Sequence, residues 1–199
     1  MKWPSAEMIT AVSAVVVGIA ALFVAGEQSK IAKEQADIMR ETAHASVWPV
    51  VQLDYSFYVE VDAPEAAFTL RNSGIGPAFI MGVSFTDGNR RLDRMEDFIA
   101  MAPPELAGIA SDVRRAAAVG RVIAAGDEVN IMQAKWDFEG RAAEDALLQQ
   151  YWSYFQKLRD LKTEVCYCSG LERCWITSNQ SETPLQLVET CNNFESGDF

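Results

Sequence analysis

The sequence has little of the side-chain chemistry on which most enzymes depend. Its one histidine, His44, has no second histidine to pair with and no cysteine nearby, which argues against a metal site built from several imidazoles and against most histidine-based catalysis. There is no glycine-rich phosphate loop, dinucleotide fingerprint, serine-hydrolase motif or zinc-peptidase motif. Acidic pairs occur, but an acidic composition supplies such pairs without any cleft. The sequence therefore predicts a protein that is not an enzyme and uses no cofactor and no metal.

Basic charge is scarce as well. The 199 residues include 17 Lys and Arg against 28 Asp and Glu, which gives a formal net charge of −11. Because a phosphate-binding surface needs basic side chains, this balance argues against nucleic acid as a partner. The chain is 49% hydrophobic and 23% charged, which is typical of a folded protein rather than a disordered one.

One long hydrophobic run is present near the N-terminus. No residue from Met8 to Gly26 is charged. At 1.5 Å per residue a helix over this run spans roughly 28 Å, about the thickness of a bilayer core. The run is longer than the apolar part of an ordinary signal peptide, so a retained single-pass anchor is favoured over a cleaved signal. Small residues that let membrane helices approach each other follow one face of it: Thr10, Ala14, Gly18, Ala21 and Ala25.

Residues 27–47 contain no glycine or proline and predict a helical stalk that continues the membrane helix. Ile31, Ile38 and Ala45 recur every seven residues, so the stalk is a candidate for self-association. Trp48-Pro49 ends it, because proline cannot continue a helix.

Beyond the stalk, apolar residues recur every second residue, which is the spacing of a strand and not that of a helix. Val51, Leu53, Tyr55 and Phe57 alternate with polar neighbours, which indicates a strand with one buried face. Further strands are predicted near residues 67–70, 78–85, 121–136, 163–168 and 174–178. Helices are predicted over 90–101, 105–119 and 140–161.

Short strands with inserted helices favour an immunoglobulin-like β-sandwich. The predicted fold is thus an N-terminal transmembrane helix and helical stalk followed by a mainly-β domain with inserted helices. The organisation is a tail over 1–7, the membrane helix over 8–26, the stalk over 27–47, the β-domain over 48–188 with helical insertions near 90–119 and 140–161, and an acidic tail over 189–199.

Three short motifs carry a resemblance to a protein family. They are the turn in TLRNSGIGPA at 69–78, Ser46-Val47-Trp48-Pro49 after the stalk, and Cys166-Tyr167-Cys168-Ser169 with Cys174-Trp175. Together they resemble uncharacterised bacterial single-pass membrane proteins with an Ig-like β-sandwich. The resemblance implies this architecture and the bacterial inner membrane, and it implies no activity.

The four cysteines have three interpretations. The first is two disulfides: one closes the predicted hairpin by joining Cys174 to Cys166 or Cys168, and the second attaches Cys191 of the tail. Disulfides suit an oxidising compartment and hence a periplasmic domain. The spacing fits structural zinc poorly, and free thiols would suit a cytoplasmic domain. Lys30, Lys33 and Arg40 after the membrane helix favour that cytoplasmic side. Four cysteines allow three pairings, and the sequence does not choose among Cys166, Cys168, Cys174 and Cys191.

Two further groups are candidate binding residues. The aromatics Tyr151, Trp152, Tyr154 and Phe155 surround much of one predicted helix and offer a partner surface, unless the helix lies flat on its own core. A locally basic stretch suggests an anion site, unless its members simply balance acidic neighbours. Its members of interest are Arg114, Arg115 and Arg121.

Two function classes follow from these observations. The first is a non-enzymatic, membrane-anchored interaction module that packs on integral membrane proteins as an accessory or scaffold subunit, with self-association through the membrane helix and stalk as a further contact. The second is a membrane-tethered sensor or binding protein, in which the inserted helices frame a pocket for a small or anionic ligand.

Overall fold

The computed structural model describes residues 6–58, 63–138, 145–179 and 185–198. The chain divides into two compact units, residues 1–45 and 46–199. The first unit is dominated by one continuous helix, α1 (Ala6–Ser46). Within Thr10–Ser46 a window of 18 residues has a mean hydropathy of 2.0, and none of that window is buried. Among the described residues the structure therefore contains one helix that is long and apolar enough to cross a membrane.

The second unit is mostly β-structure and contains two antiparallel sheets. The first sheet has the strand order β1-β2-β7-β5. Pairing of Val51 with Asn72 places the start of β1 beside the end of β2. Its strands are β1 (Val51–Tyr58), β2 (Glu65–Asn72), β5 (Ala110–Arg115) and β7 (Glu128–Trp136).

The second sheet has the order β10-β9-β8-β3-β4, and a short strand, β6, also pairs with β3. Phe79 pairs with Cys168 of β8 and with Val122 of β6, so these strand ends lie together. Its strands are β3 (Ala78–Asp87), β4 (Arg90–Leu92), β6 (Val122–Ile123), β8 (Lys162–Cys168), β9 (Cys174–Ser178) and β10 (Gln186–Val188).

Three helices pack with the inner face of the first sheet: α2 (Met95–Met101), α3 (Pro104–Ala107) and α4 (Asp145–Asp160). Phe68 of β2, Phe85 of β3 and Phe98 of α2 contact one another edge-to-face, with centroids 5.1–6.3 Å apart. All three are nearly fully buried. Because the three rings come from the first sheet, the second sheet and α2, their contacts join these elements in one core. Large aromatic side chains bury much apolar area, so this cluster is a major part of that core.

The stretch 105–119 differs from the expected helix. After Pro103-Pro104, helix α3 ends at Ala107, and residues Ala110–Arg115 form strand β5 instead. Helix-forming residues there adopt an extended conformation because β5 pairs with β7, and tertiary pairing overrides local propensity. Within 90–101, residues Arg90–Leu92 form β4, and the helix begins only at Met95.

The acidic C-terminal segment, 189–198, packs on the domain. The ring of Phe194 lies against Gly82, where an added Cβ would approach Phe194 Cδ1 to 2.4 Å. The Val83 amide donates a hydrogen bond to Ser196 Oγ (3.1 Å), and the Gly197 amide donates one to the Val83 carbonyl (3.0 Å). These bonds place the segment along β3 between β6 and β4.

Candidate functional site

The segment through which the chain enters the β-domain, residues 47–51, lies directly against the turn after β2. A Cβ at Gly74 would approach the Trp48 carbonyl oxygen to 2.4 Å, and a Cβ at Gly76 would approach the Val47 oxygen to 2.2 Å. Any side chain at these two positions would therefore push the two backbones apart. Glycine is therefore required at both positions of the N-x-G-x-G-P-A turn, because the backbone of the S-V-W-P segment packs directly against it.

Asn72 joins this segment to the turn. Its buried side chain accepts hydrogen bonds at Oδ1 from the amides of Val50 (3.2 Å) and Gly74 (3.0 Å). Its Nδ2 donates to the carbonyls of Gly76 (2.7 Å) and Ile123 (3.0 Å). One amide side chain therefore connects the entering segment, the turn and the β6 region, and all of its hydrogen-bonding capacity is used.

An aromatic stack continues from the entering segment into the second sheet. Trp48 stacks on Trp175 of β9 with centroids 6.3 Å apart, and Trp175 stacks on Tyr167 of β8 at 5.9 Å. Tyr167 and Trp175 are buried, whereas Trp48 is 46% exposed. The stack therefore ends in an aromatic ring that solvent or a partner can reach.

Exposed apolar side chains gather at this same end of the β-domain. The pairing of Phe79 with both Val122 and Cys168 places the β6 strand and the β8–β9 hairpin turn there, and Asn72 places the β2–β3 turn beside them. We call this set the junction surface. It comprises Trp48, Ile75, Phe79, Val119, Val122 and Leu171, with exposed fractions between 38% and 67%.

Sequence reasoning missed the junction surface, although one signal was present. In β3, Ala78 and Ile80 face the core while Phe79 and Met81 are exposed, so large apolar residues occupy both faces of the strand. A strand at the surface of a soluble domain usually places polar residues on its outer face. A run of apolar residues without alternation therefore indicated a covered or contacted outer face.

The four aromatics of α4 divide between core and surface. Tyr151 and Tyr154 are buried, and Tyr154 donates a hydrogen bond to the Phe98 carbonyl (2.8 Å), which ties α4 to α2. Burial raises the pKa of Tyr154 well above its usual value. Trp152 is 44% exposed, and with the half-buried Phe155 it contacts Phe57 of β1 at 4.4–4.5 Å between centroids. Half of the predicted partner surface is thus packed in the core.

The three candidate arginines are not brought together as an anion site. Arg114 forms an ion pair with Asp112 of the same strand (2.6 Å). Arg115, the next residue of β5, points to the opposite face and donates to the Asp198 carbonyl (3.2 Å). Arg121 lies on the connection before β6 and is exposed. Because successive strand residues alternate, the adjacent arginines diverge.

The small-residue face of α1 is uncovered within the described chain. Thr10, Ala14, Gly18, Ala21 and Ala25 are all exposed, and a Cβ added at Gly18 would meet no atom within 4 Å. Its role in helix packing stays a prediction.

All four cysteines are at disulfide distance. Cys168–Cys174 closes the β8–β9 hairpin, and Cys166–Cys191 holds the C-terminal segment on the outer face of the second sheet. Cys166 and Cys168 lie on the same face of β8, as expected for residues two apart on a strand. All four thiols are thus paired, and no cysteine is free in this arrangement.

A small apolar cavity lies between the helices and the inner face of the first sheet. It measures about 40 Å³ and is lined almost wholly by apolar side chains, among them Phe68, Met95, Phe98, Met132 and Trp136. Ile99 and Val113 line it as well and are 43% and 39% exposed. The inserted helices line this cavity together with the first sheet, and its lining suits an apolar group and not an anion.

Comparison of the chain with protein-family models, with curated proteins and with solved structures finds no match.

Proposed function

We propose that this chain is a non-enzymatic, membrane-anchored interaction module that serves as an accessory subunit of a larger membrane protein complex. The junction surface carries this proposal. Six exposed apolar side chains at one end of a small domain are more than scattered surface residues, and such clusters typically mark protein contacts. They surround the segment through which the chain arrives from α1.

The anchor in this proposal is α1. A window of mean hydropathy 2.0 in an uncovered helix supports retention in a bilayer, because exposed apolar side chains on this scale are stable only in lipid or against other helices. Two antiparallel sheets around one core support an Ig-like sandwich. The two disulfides support an oxidising compartment, and hence the periplasmic side of a bacterial inner membrane.

The partner in this proposal presents an apolar surface. The junction surface contains Trp48, and large aromatic rings held by stacking lose little entropy on binding, which makes them frequent hot spots. Since α1 leads into this end of the domain, an integral membrane protein is the class of partner that fits it.

Site-specific photocrosslinking in the native membrane tests the proposal. A photoreactive residue replaces Ile75, Val122 or Leu171 in turn, and the matched control carries it at Leu187, which is 56% exposed on β10 and outside the junction surface. We expect a stoichiometric adduct to one integral membrane protein from the three junction positions and none from Leu187. Adducts to this chain alone, or equal yields at Leu187, would contradict the accessory-subunit proposal.

The apolar cavity favours a second candidate, a tethered binding protein for a small apolar ligand. Ala134 of β7 lines the cavity, and Ala134→Val would place two methyl groups in it. A ligand-binding role predicts that short-chain hydrocarbons raise the melting temperature of the wild type and leave that of the variant unchanged. A cavity that is only a packing void predicts no ligand effect on either protein, with the variant more stable by about 1 kcal/mol at 24 cal/mol per Å³.

A further inference from the structure

The two disulfides are in contact with each other. Cys168 Sγ lies 3.8 Å from Cys191 Sγ, although these two atoms belong to different disulfides. The Sγ atoms of Cys168, Cys174 and Cys191 all lie within 4.8 Å of one another. The β-pairing produces this contact, because Cys166 and Cys168 share one face of β8 and Cys174 pairs directly with Cys168.

The two disulfides differ in exposure. Cys166 is fully buried and its partner Cys191 is 8% exposed, whereas Cys168 is partly exposed beside the turn of the hairpin. A thiol from solution therefore reaches the Cys168–Cys174 bond more readily than the Cys166–Cys191 bond, and access is one of the factors that sets the rate of exchange.

From this contact we infer that the four cysteines form a thiol–disulfide exchange site. A dithiol reductant first reduces Cys168–Cys174, and the freed Cys168 then attacks the Cys166–Cys191 disulfide and replaces Cys166 as the partner of Cys191. The inference adds a reaction to the β-domain and does not depend on which partner the junction surface binds.

The first step is a two-electron reduction by the dithiol. One thiolate of the reductant attacks Cys168 Sγ, the more exposed sulfur, which breaks the bond to Cys174 and releases Cys174 as a thiolate that takes up a proton. The second thiolate of the reductant attacks the reductant's own sulfur in the mixed disulfide, releases Cys168 as a thiolate, and leaves the reductant oxidised to its own disulfide. The protein has then gained two electrons and one proton, and Cys166 takes up the second proton in the next step.

The second step involves no net change in oxidation state. The Cys168 thiolate attacks Cys191 Sγ, 3.8 Å away, and a new Cys168–Cys191 bond forms. The Cys166–Cys191 bond breaks, and Cys166 leaves as a thiolate that takes up a proton. The attacking atom is already held beside its target, so the step needs no encounter and competes well with attack from solution.

The exchange moves the tether of the C-terminal segment. Before it, Cys191 is fixed to the middle of β8, and Phe194 and Ser196 contact Gly82 and Val83 of the neighbouring strand. Afterwards Cys191 is fixed two residues further along β8. The contacts of Phe194 and Ser196 on β3 must then shift or break, so a reductant would loosen the segment without releasing it.

Limited reduction of the full-length protein in detergent tests the exchange without any substitution. The protein receives less than one equivalent of dithiothreitol, is quenched in acid and alkylated, and its labelled peptides are mapped by mass spectrometry. We expect label on Cys166 and Cys174 and a new Cys168–Cys191 crosslink. Label confined to Cys168 and Cys174, with Cys166–Cys191 intact, would overturn the inference.

A kinetic comparison supplies an independent test. The double variant Cys168→Ser, Cys174→Ser removes the attacking thiol, so reduction of Cys166–Cys191 should slow by about tenfold or more. The matched control, Cys166→Ser with Cys191→Ser, should reduce its remaining disulfide at the wild-type rate. Circular dichroism establishes that each variant is folded. Equal rates of Cys166–Cys191 reduction with and without Cys168 would overturn the inference.

Discussion

Asn72→Ala should be among the most destabilising single substitutions in the β-domain. The side chain is fully buried and makes four hydrogen bonds. Its loss leaves two amides, of Val50 and Gly74, and two carbonyls, of Gly76 and Ile123, without their partners.

The magnitude follows from the number of bonds. Neutral hydrogen bonds contribute about 1 kcal/mol each, and buried groups left without a partner cost at least as much, so the variant should lose about 3–4 kcal/mol. This is a large share of a total stability of about 5–15 kcal/mol. A urea titration of the full-length protein in mild detergent, followed by tryptophan fluorescence, measures the loss.

Two further variants make the measurement specific. Ser73→Ala, at the next position, removes only an exposed bond to Gln52, and its stability should stay within about 0.5 kcal/mol of wild type. Asn72→Asp keeps the shape but turns a carboxylate toward the carbonyls of Gly76 and Ile123. This variant should gain stability relative to wild type as the pH falls toward 5, because a protonated carboxyl can donate again.

A loss below about 1 kcal/mol for Asn72→Ala would refute this reasoning. It would mean that the entering segment and the turn hold together without the amide, through the backbone contacts at Gly74 and Gly76 alone.

Two more outcomes are expected. Burial raises the pKa of Tyr55 and the pKa of Tyr167 to about 12 each. Absorbance at 295 nm should therefore show both phenols protonated in the folded protein near pH 11 and ionised in urea. The stability that the two neutral phenols contribute is full below about pH 10 and is lost as the pH rises through 12. Gly82→Ala should displace the Phe194 ring and speed hydrogen exchange at the Gly197 amide, while Gly170→Ala, whose Cβ would lie 3.8 Å from Phe79, should leave that exchange unchanged.

Periodicity predicted the elements in which one interaction dominates. Helix α4 follows from the spacing of Leu147, Tyr151, Tyr154 and Leu158, and all four are buried. The alternation that begins at Val51 gave β1, because one face of this strand meets the core. In both elements the apolar side chains alone decide the local structure.

The residues around β5 show where such reasoning fails. Alanines and arginines near 114–118 favour a helix in isolation, and only the pairing of β5 with β7 makes the strand. The sequence therefore predicted a helix over Arg114 and Arg115, and the locally basic stretch to which they belong suggested an anion site. On the strand they point to opposite faces.

The candidate surface was missed for a related reason. Trp48, Ile75 and Leu171 are distant in sequence, and each is an ordinary exposed residue on its own. The Asn72 hydrogen bonds and the β3 register bring them to one end of the domain, and neither can be derived from local pattern.

The position of residues 196–198 along β3 has a consequence for how the protein is handled. Unpaired backbone on an outer strand is a template for joining further strands, and natural domains cover such strands to avoid aggregation. Strand β3 pairs with β8 along one edge. Along its opposite edge it is covered in turn by residues 120–123, the C-terminal segment and β4. A truncation before Ser196 would open a gap in the middle of this row. Truncated proteins should therefore form β-rich aggregates sooner than the full-length chain, and purification tags belong at the other terminus.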